Sequence, residues 1–203
     1  MILYLIRHGE TDLNKQKRLQ GHTDIELNEY GRELARITAK ALEDVDFDIA
    51  FTSPLKRARE TAEIILGDRQ VPLVNEPRIM EIGFGIYEGL CYKGENRNIP
   101  DPEWINFFDN PKEYKAPLNG ESFEDIIKRT GDFFADIVGN KEYLNKTILV
   151  STHGCALKAI LVNACNIPIE GFWGRSLNKN CGVTILSIEG GRVEMIEDGK
   201  VFY

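Results

Sequence analysis

Two histidines, each followed by glycine, carry most of the chemistry this chain can offer. Arg7-His8-Gly9 ends the apolar run Ile2-Leu3-Tyr4-Leu5-Ile6, and His153-Gly154 ends the run Thr147-Ile148-Leu149-Val150-Ser151-Thr152. The chain has only three histidines, and two of them stand at predicted strand ends. An imidazole in that position is placed like a nucleophile, and the repeated arrangement suggests two rings brought to one edge of one sheet. The chemistry that suits them is phosphoryl transfer to a side chain. It needs a nucleophile in line with the leaving oxygen, cations around the equatorial oxygens, and an acid for the departing alcohol.

His8 can supply the nucleophile through one neutral ring nitrogen, provided a backbone carbonyl fixes the other N–H. Arg7 offers a planar fork for two phosphate oxygens, and Gly9 lets backbone approach closely. A second fork is Arg57, in Ser53-Pro54-Leu55-Lys56-Arg57-Ala58, where a strand gives way to a helix. Lys56 and Arg59 read as solvated helix residues. The acid candidate is Glu81, set between apolar neighbours in Arg78-Ile79-Met80-Glu81-Ile82-Gly83. His22, in Gln20-Gly21-His22-Thr23-Asp24, reads as a loop residue near the site. Three separated histidines with no HxH or HxxxH spacing supply no metal ligand set, so no metal is expected.

The elements that must position these residues alternate strand and helix. Strands are predicted over 2–6, 49–52, 71–74 and 147–151. Helices are predicted over 28–42 with Asn28 as N-cap, from Pro54 in a first turn to Leu66, over 122–138 with a Ser122/Asp125 capping box, and over 155–163. Gly190-Gly191 predicts a two-residue hairpin between strands at 183–189 and 192–196. The segment 83–120, rich in Pro, Gly and aromatics, reads as an inserted, lid-like excursion over one edge of the sheet. The expectation is a single domain over 1–203, a three-layer α/β/α sandwich with a mostly parallel central sheet and an antiparallel edge hairpin. Ligands of such folds sit at the carboxyl ends of the strands, where both His-Gly pairs fall.

Composition narrows the function. A net charge of −7 argues against nucleic acid as a partner, so an anionic ligand must be held by a local basic pocket. No apolar run of about 18 residues is present, so no membrane partner is expected. Met1 leads straight into a strand with no basic segment or cleavage site, and Cys91, Cys155, Cys165 and Cys181 show no CxxC spacing. Free thiols in a reducing cytoplasm are the simplest reading. The choice between monomer and homodimer stays open.

At this point the residues resemble a family, the histidine phosphatase (phosphoglycerate mutase-like) superfamily. Arg7-His8-Gly9-Glu10-Thr11 with Asn14 resembles its opening motif RHGETxxN. Gly21, Asp24, Leu27 and Gly31 resemble GxxDxxLxxxG, and Ser53, Leu55, Arg57, Ala58, Thr61 and Ala62 resemble SxLxRAxxTA. Glu81, Gly85, Glu88 and Gly89 resemble ExxxGxxEG, Gly120-Glu121-Ser122 resembles GES, and Thr152-His153-Gly154 resembles the closing motif. The resemblance implies a phosphohistidine on His8, a phosphoryl group bound by Arg7, Arg57 and His153, and Glu81 as proton donor and then base for water. It also implies pocket contacts at Asn14, Gly21 and Gly154, a small-molecule phosphomonoester as substrate, and no cofactor. Leu13, Glu26 and Tyr87 stand where the family often has Trp, Pro and Trp; none of them exchanges a proton or charge with phosphate.

Three other readings compete with a phosphatase. A bisphosphoglycerate-dependent mutase would carry a longer, more basic insertion after the acid, whereas 84–121 holds four basic residues (Lys93, Arg97, Lys112, Lys115) against seven acidic ones. A cysteine phosphatase loop, Cys91-x5-Arg97, is disfavoured by Glu95 inside the cradle and by Pro100 where a helix should begin. A non-catalytic phosphate-binding module would be marked by loss of the nucleophile, an arginine or the acid, and none is missing.

Overall fold

The near-continuous apolar runs become central strands. In the computed structural model, which describes residues 1–174 and 179–203, β1 (Ile2–Arg7) lies beside and parallel to β4 (Thr147–Thr152). Next to β4 comes β2 (Ile49–Thr52), then β3 (Leu73–Asn75), all parallel. On the other side of β1 run β5 (Val183–Glu189) and β6 (Arg192–Lys200), both antiparallel to their neighbours, giving the order β3-β2-β4-β1-β5-β6. The expected three-layer sandwich with an antiparallel edge is what the chain forms.

Side-chain alternation sorts the two faces. Leu3, Leu5, Ile148, Val150 and Leu186 pack against α5 (Phe123–Gly139) and α6 (Gly154–Cys165). Ile6, Ala50, Leu149 and Val183 pack on the opposite face, where α2 (Glu29–Ala41) and α3 (Lys56–Leu66) lie in contact with each other. Helix α6 is buried on nearly every side, which is why its sequence is apolar all round rather than striped. The Asn28 side chain caps α2 by accepting the Gly31 N–H, and Ser122 with Asp125 closes a capping box on α5.

Several boundaries differ from the sequence reading: β6 runs on to Lys200 rather than 196, α6 spans Gly154–Cys165 rather than 155–163, and two others have an identifiable cause. Pro54 lies outside α3, which starts at Lys56: the Ser53 hydroxyl accepts the Leu55 N–H, and Asp24, from a distant loop, accepts the Lys56 N–H at 2.7 Å. A tertiary cap thus sets a start that the proline alone would put earlier. Strand β3 covers 73–75 rather than 71–74, because the Pro72 carbonyl bonds Ala50 N–H but Pro72 has no N–H of its own to give.

The excursion is closed at its base, where Phe84 bridges Gly120 and the Glu121 N–H donates to Gly83 O. Its interior holds short turns, among them α4 (Asn106–Asp109), a single helical turn of the same length as α1 (Asp12–Lys15). Trp104, Phe107, Phe123 and Phe172, each at most 2 % exposed, form its core, with Trp104 stacked on Phe107 at 4.8 Å.

Candidate active site

Strand register brings the two histidines together. Arg7 pairs with Thr152 in the parallel β1–β4 ladder, so His8 and His153 leave the sheet at the same level. The His8 N–H donates to Thr152 O, and the two rings stand 5.1 Å apart between centroids. The polar residues at these strand ends are fully buried and tie down the loops that follow. Ser151 Oγ donates to Ala58 O in α3, Thr152 Oγ1 to Ile79 O, and the Gly9 N–H to Thr61 Oγ1.

His8 is 2 % exposed. Its Nδ1 lies 2.7 Å from Gly9 O. A carbonyl only accepts, so Nδ1 carries the ring proton and Nε2 keeps its lone pair. Burial, then the charges of Arg57 and Arg7, push the His8 pKa well below its ordinary value; the bond to Gly9 opposes this without reversing it. The ring is therefore neutral at neutral pH, as a nucleophile must be. Gly9 has no room for a side chain, since a Cβ there would meet Gly31 O at 2.6 Å.

Arg57 is fully buried. Its Nη1 donates to Thr23 O and its Nη2 to Gly21 O, each at 2.8 Å, while Nε is buried with no partner among the described residues. Gly21 can present that carbonyl because it adopts φ +52° where a Cβ would collide with Glu88. Burial lowers the Arg57 pKa to about 10, so the guanidinium remains charged at neutral pH. His153 is also fully buried, with Nε2 2.8 Å from Ser53 Oγ and Nδ1 without a partner among the described residues. Burial, followed by Arg57 and His8, holds its pKa well below the ordinary value.

Glu81 sits over the start of α6. Its Oε1 accepts N–H groups from Ile82 (3.0 Å), Cys155 (3.0 Å) and Ala156 (3.2 Å), which fixes its orientation. The backbone around it is clamped by Arg129 of α5, whose guanidinium donates to the carbonyls of Arg78, Met80 and Glu81. Glu121 accepts from Arg129 and from the Gly83 N–H, and His22 Nε2 lies 3.0 Å from Glu81 O. Burial would raise the Glu121 pKa, but the His22 ring 3.6 Å away and the hydrogen bonds from Arg129 bring it down to about 2. The neighbouring Glu121 carboxylate raises the His22 pKa.

A pocket enclosing about 530 Å³, part of it open to solvent, joins these residues. Of those singled out in the sequence, Arg7, His8, Asn14, Gly21, Arg57, Glu81 and Gly154 line it, and the buried ring of His153 stands beside that of His8, 5.1 Å away between centroids. Asn14 is held in place as the other half of a cap with Thr11, and its Oδ1 lies within reach of Asn180, which also donates to His8 O. Cys155 lines the wall, and burial pushes its thiol pKa well up, so it behaves as an inert apolar group. In the Cys91-to-Arg97 loop, Cys91 Sγ faces backbone carbonyls of Gln16 and Lys93 while Arg97 donates to Asp101 O; no anion cradle forms.

Sequence reasoning did not single out Arg129, Arg18, Asn180 or Trp173, and treated His22 and Glu121 only as neighbours or motif members. Arg129 had a signal: it falls on the buried stripe of α5 between Ile126 and Phe133, where an arginine needs a reason. Asn180 and Trp173 had none, since their roles come from distant packing.

The chain as a whole is similar to known proteins. The family model for the histidine phosphatase superfamily (branch 1) matches residues 3–198. A Bacillus subtilis (strain 168) protein named uncharacterized phosphatase PhoE is 38% identical over 181 residues, covering 82% of this chain and 86% of the relative. The adenosylcobalamin/alpha-ribazole phosphatase of Escherichia coli (strain K12) is 32% identical over 181 residues, 89% of this chain and 87% of its own. The solved structure of Bacillus stearothermophilus YhfR superposes with a TM-score of 0.88 at 35% identity, covering 98% of this chain and 97% of that one. The chain belongs to the histidine phosphatase superfamily (branch 1), and with it to that family's generic phosphomonoesterase class.

Proposed function

We propose that the protein is a metal-independent phosphomonoesterase working through a phosphohistidine on His8. The observation that carries this reading is the pairing of a neutral His8, locked by Gly9 O with Nε2 left free, with buried donors that lack partners among the described residues: Arg57 Nε and His153 Nδ1. Buried polar groups without partners are costly, and phosphoryl oxygens would complete them. With the Ser53 hydroxyl donating to His153 Nε2, the neutral ring carries its proton on Nδ1 and can give it to such an oxygen.

In the first step His8 Nε2 attacks phosphorus. The P–N bond forms as the P–O bond to the alcohol breaks, and Glu81 gives its proton to the departing oxygen. In the second step Glu81 takes a proton from water, whose oxygen attacks phosphorus, the P–N bond breaks, and inorganic phosphate leaves. Arg7 and Arg57 hold charge on the equatorial oxygens throughout. The acidic balance of the excursion supports hydrolysis over a mutase cycle, which must retain a second phosphoryl group. The substrate is a small phosphorylated molecule, and a cytoplasmic location is proposed with it.

The test is hydrolysis of p-nitrophenyl phosphate in excess chelator. Turnover that survives chelation and disappears in His8→Ala, with radiolabel trapped on His8 after rapid non-acidic quenching, is expected. Turnover without label on His8 sinks the mechanism. No turnover on a panel of phosphomonoesters favours a binding module.

A further inference from the structure

We propose that the outer half of this pocket is an aromatic subsite, which makes the chain prefer phosphomonoesters of flat, apolar or aromatic alcohols over those of short acids and polyols. The proposal rests on the phosphomonoesterase reading and names the substrate class of that same site.

Most aromatic side chains of this region fall into two sets, with Phe84 and Phe107 buried in the core and also reaching the pocket lining. Trp104, Phe123 and Phe172 are core, each at most 2 % exposed, and account for the packing of the excursion. Tyr92, Phe108 and Trp173 instead line the pocket, with Phe108 39% exposed and the other two half-buried. Their rings form a continuous wall: Tyr92 to Phe108 is 5.9 Å with planes tilted by 36°, and Phe108 to Trp173 is 5.5 Å with a tilt of 33°. Trp173 spends its Nε1–H on Phe107 O at 2.6 Å, so what it offers the pocket is ring surface. Leu19, Phe84 and Cys155, all buried, continue the apolar lining toward the phosphate cage.

Charge makes the same distinction. Outside Arg7, His8, Arg57 and Glu81, the charged side chain on the described lining is Arg18. It is exposed, with Nη1 donating to Gly89 O at 2.7 Å. A water-screened guanidinium holds a carboxylate weakly, whereas an aromatic wall gains from every apolar group it desolvates and from ring stacking. Pockets that bind small molecules combine an apolar wall with a few convergent polar groups. Here the polar groups gather at the phosphoryl end and the apolar wall at the other.

The experiment compares two primary alkyl esters whose alcohols need a proton to a similar degree, 3-phenylpropyl phosphate and glycerol 1-phosphate. The aromatic ester is expected to be favoured about tenfold or more in kcat/KM, carried mainly by KM. Phe108→Ala and Tyr92→Ala are each expected to shrink that ratio about threefold or more. Should either variant fold poorly, the wild-type enzyme gives a second readout: 3-phenylpropanol is expected to inhibit competitively at concentrations where glycerol does nothing. Equal kcat/KM for the two esters, with both hydrolysed, overturns the aromatic subsite and leaves the phosphomonoesterase reading standing. So does preference for 3-phosphoglycerate or phosphoserine that is lost in Arg18→Gln. Absence of turnover on every ester sinks both readings together.

Discussion

His8 donates a hydrogen bond from its Nδ1–H to the carbonyl of Gly9, and burial beside Arg57 and Arg7 keeps the ring neutral. His153 is held neutral in the same way. The unfolded chain, whose histidines titrate near 6.5, therefore takes up two protons on acidification that the folded chain refuses until a lower pH. Each ring lowers stability by about 1.4 kcal/mol per pH unit below that value, down to its own folded-state pKa. His22 has the opposite sign. Its pKa is raised by Glu121, so its contribution is complete below 6.5 and is lost as pH climbs through the raised value. Urea unfolding across about pH 5 to 8 is expected to show maximal stability near 6.5, with His22→Gln removing the decline on the alkaline side alone. A flat profile would contradict the buried neutral rings. For Glu81, Glu81→Gln is expected to slow alkyl phosphates by about 10²–10⁴-fold and p-nitrophenyl phosphate far less, since nitrophenolate scarcely needs a proton. Equal losses on both would remove Glu81 from the acid role.

Between residue and fold stands the clamp on the segment that carries Glu81. One guanidinium of α5 satisfies the carbonyls of Arg78, Met80 and Glu81, and Glu121 completes the set through Gly83 N–H. Arg129→Met leaves those carbonyls and the Glu121 carboxylate short of partners. The expected cost is about 2–4 kcal/mol in urea unfolding. At a temperature where the variant is folded, kcat on alkyl phosphates should fall more than KM rises, and less so on p-nitrophenyl phosphate. That split separates a positioning role from a merely structural one. A similar logic holds on the His8 side: a Cβ at Gly31 would lie 2.1 Å from Glu10 O. Gly31→Ala is expected to push the Gly9–Glu10 loop aside and reduce kcat by tenfold or so, measurable beside an unchanged far-UV circular dichroism spectrum.

At the scale of the molecule, the pocket gathers residues from the ends of β1 and β4, the start of α3, the clamped segment and the excursion. A ligand bound there touches elements that are far apart in sequence and should stabilise the whole domain. Vanadate, whose five-coordinate form resembles the transferring phosphoryl group, is expected in metal-free, chelator-free buffer to raise Tm by the equivalent of about 2.7 kcal/mol at a hundred times its Kd. No shift in wild type would count against the phosphate cage. The alternation of strands and helices, the polar strand ends and the hairpin at Gly190-Gly191 were legible because each is written in local periodicity or turn chemistry. The start of α3 and the limits of β3 were less so, because Asp24 and the pairing with β2 set them from a distance.

By itself the sequence determined the sandwich, the two His-Gly strand ends, and the spacing of Arg7, His8, Arg57 and Glu81, which the fold brings to one pocket. These follow from side-chain type and short-range spacing, which act before the chain closes on itself. Only the tertiary structure decided which ring nitrogen is free, that His153 is buried beside His8, that Arg129 holds the Glu81 segment, and which aromatics face the pocket rather than the core. Those outcomes depend on burial and on contacts across as many as 172 positions of sequence, as between Asn180 and His8. No local pattern encodes such contacts, because the partner that satisfies a buried donor is chosen by the packing of the whole chain.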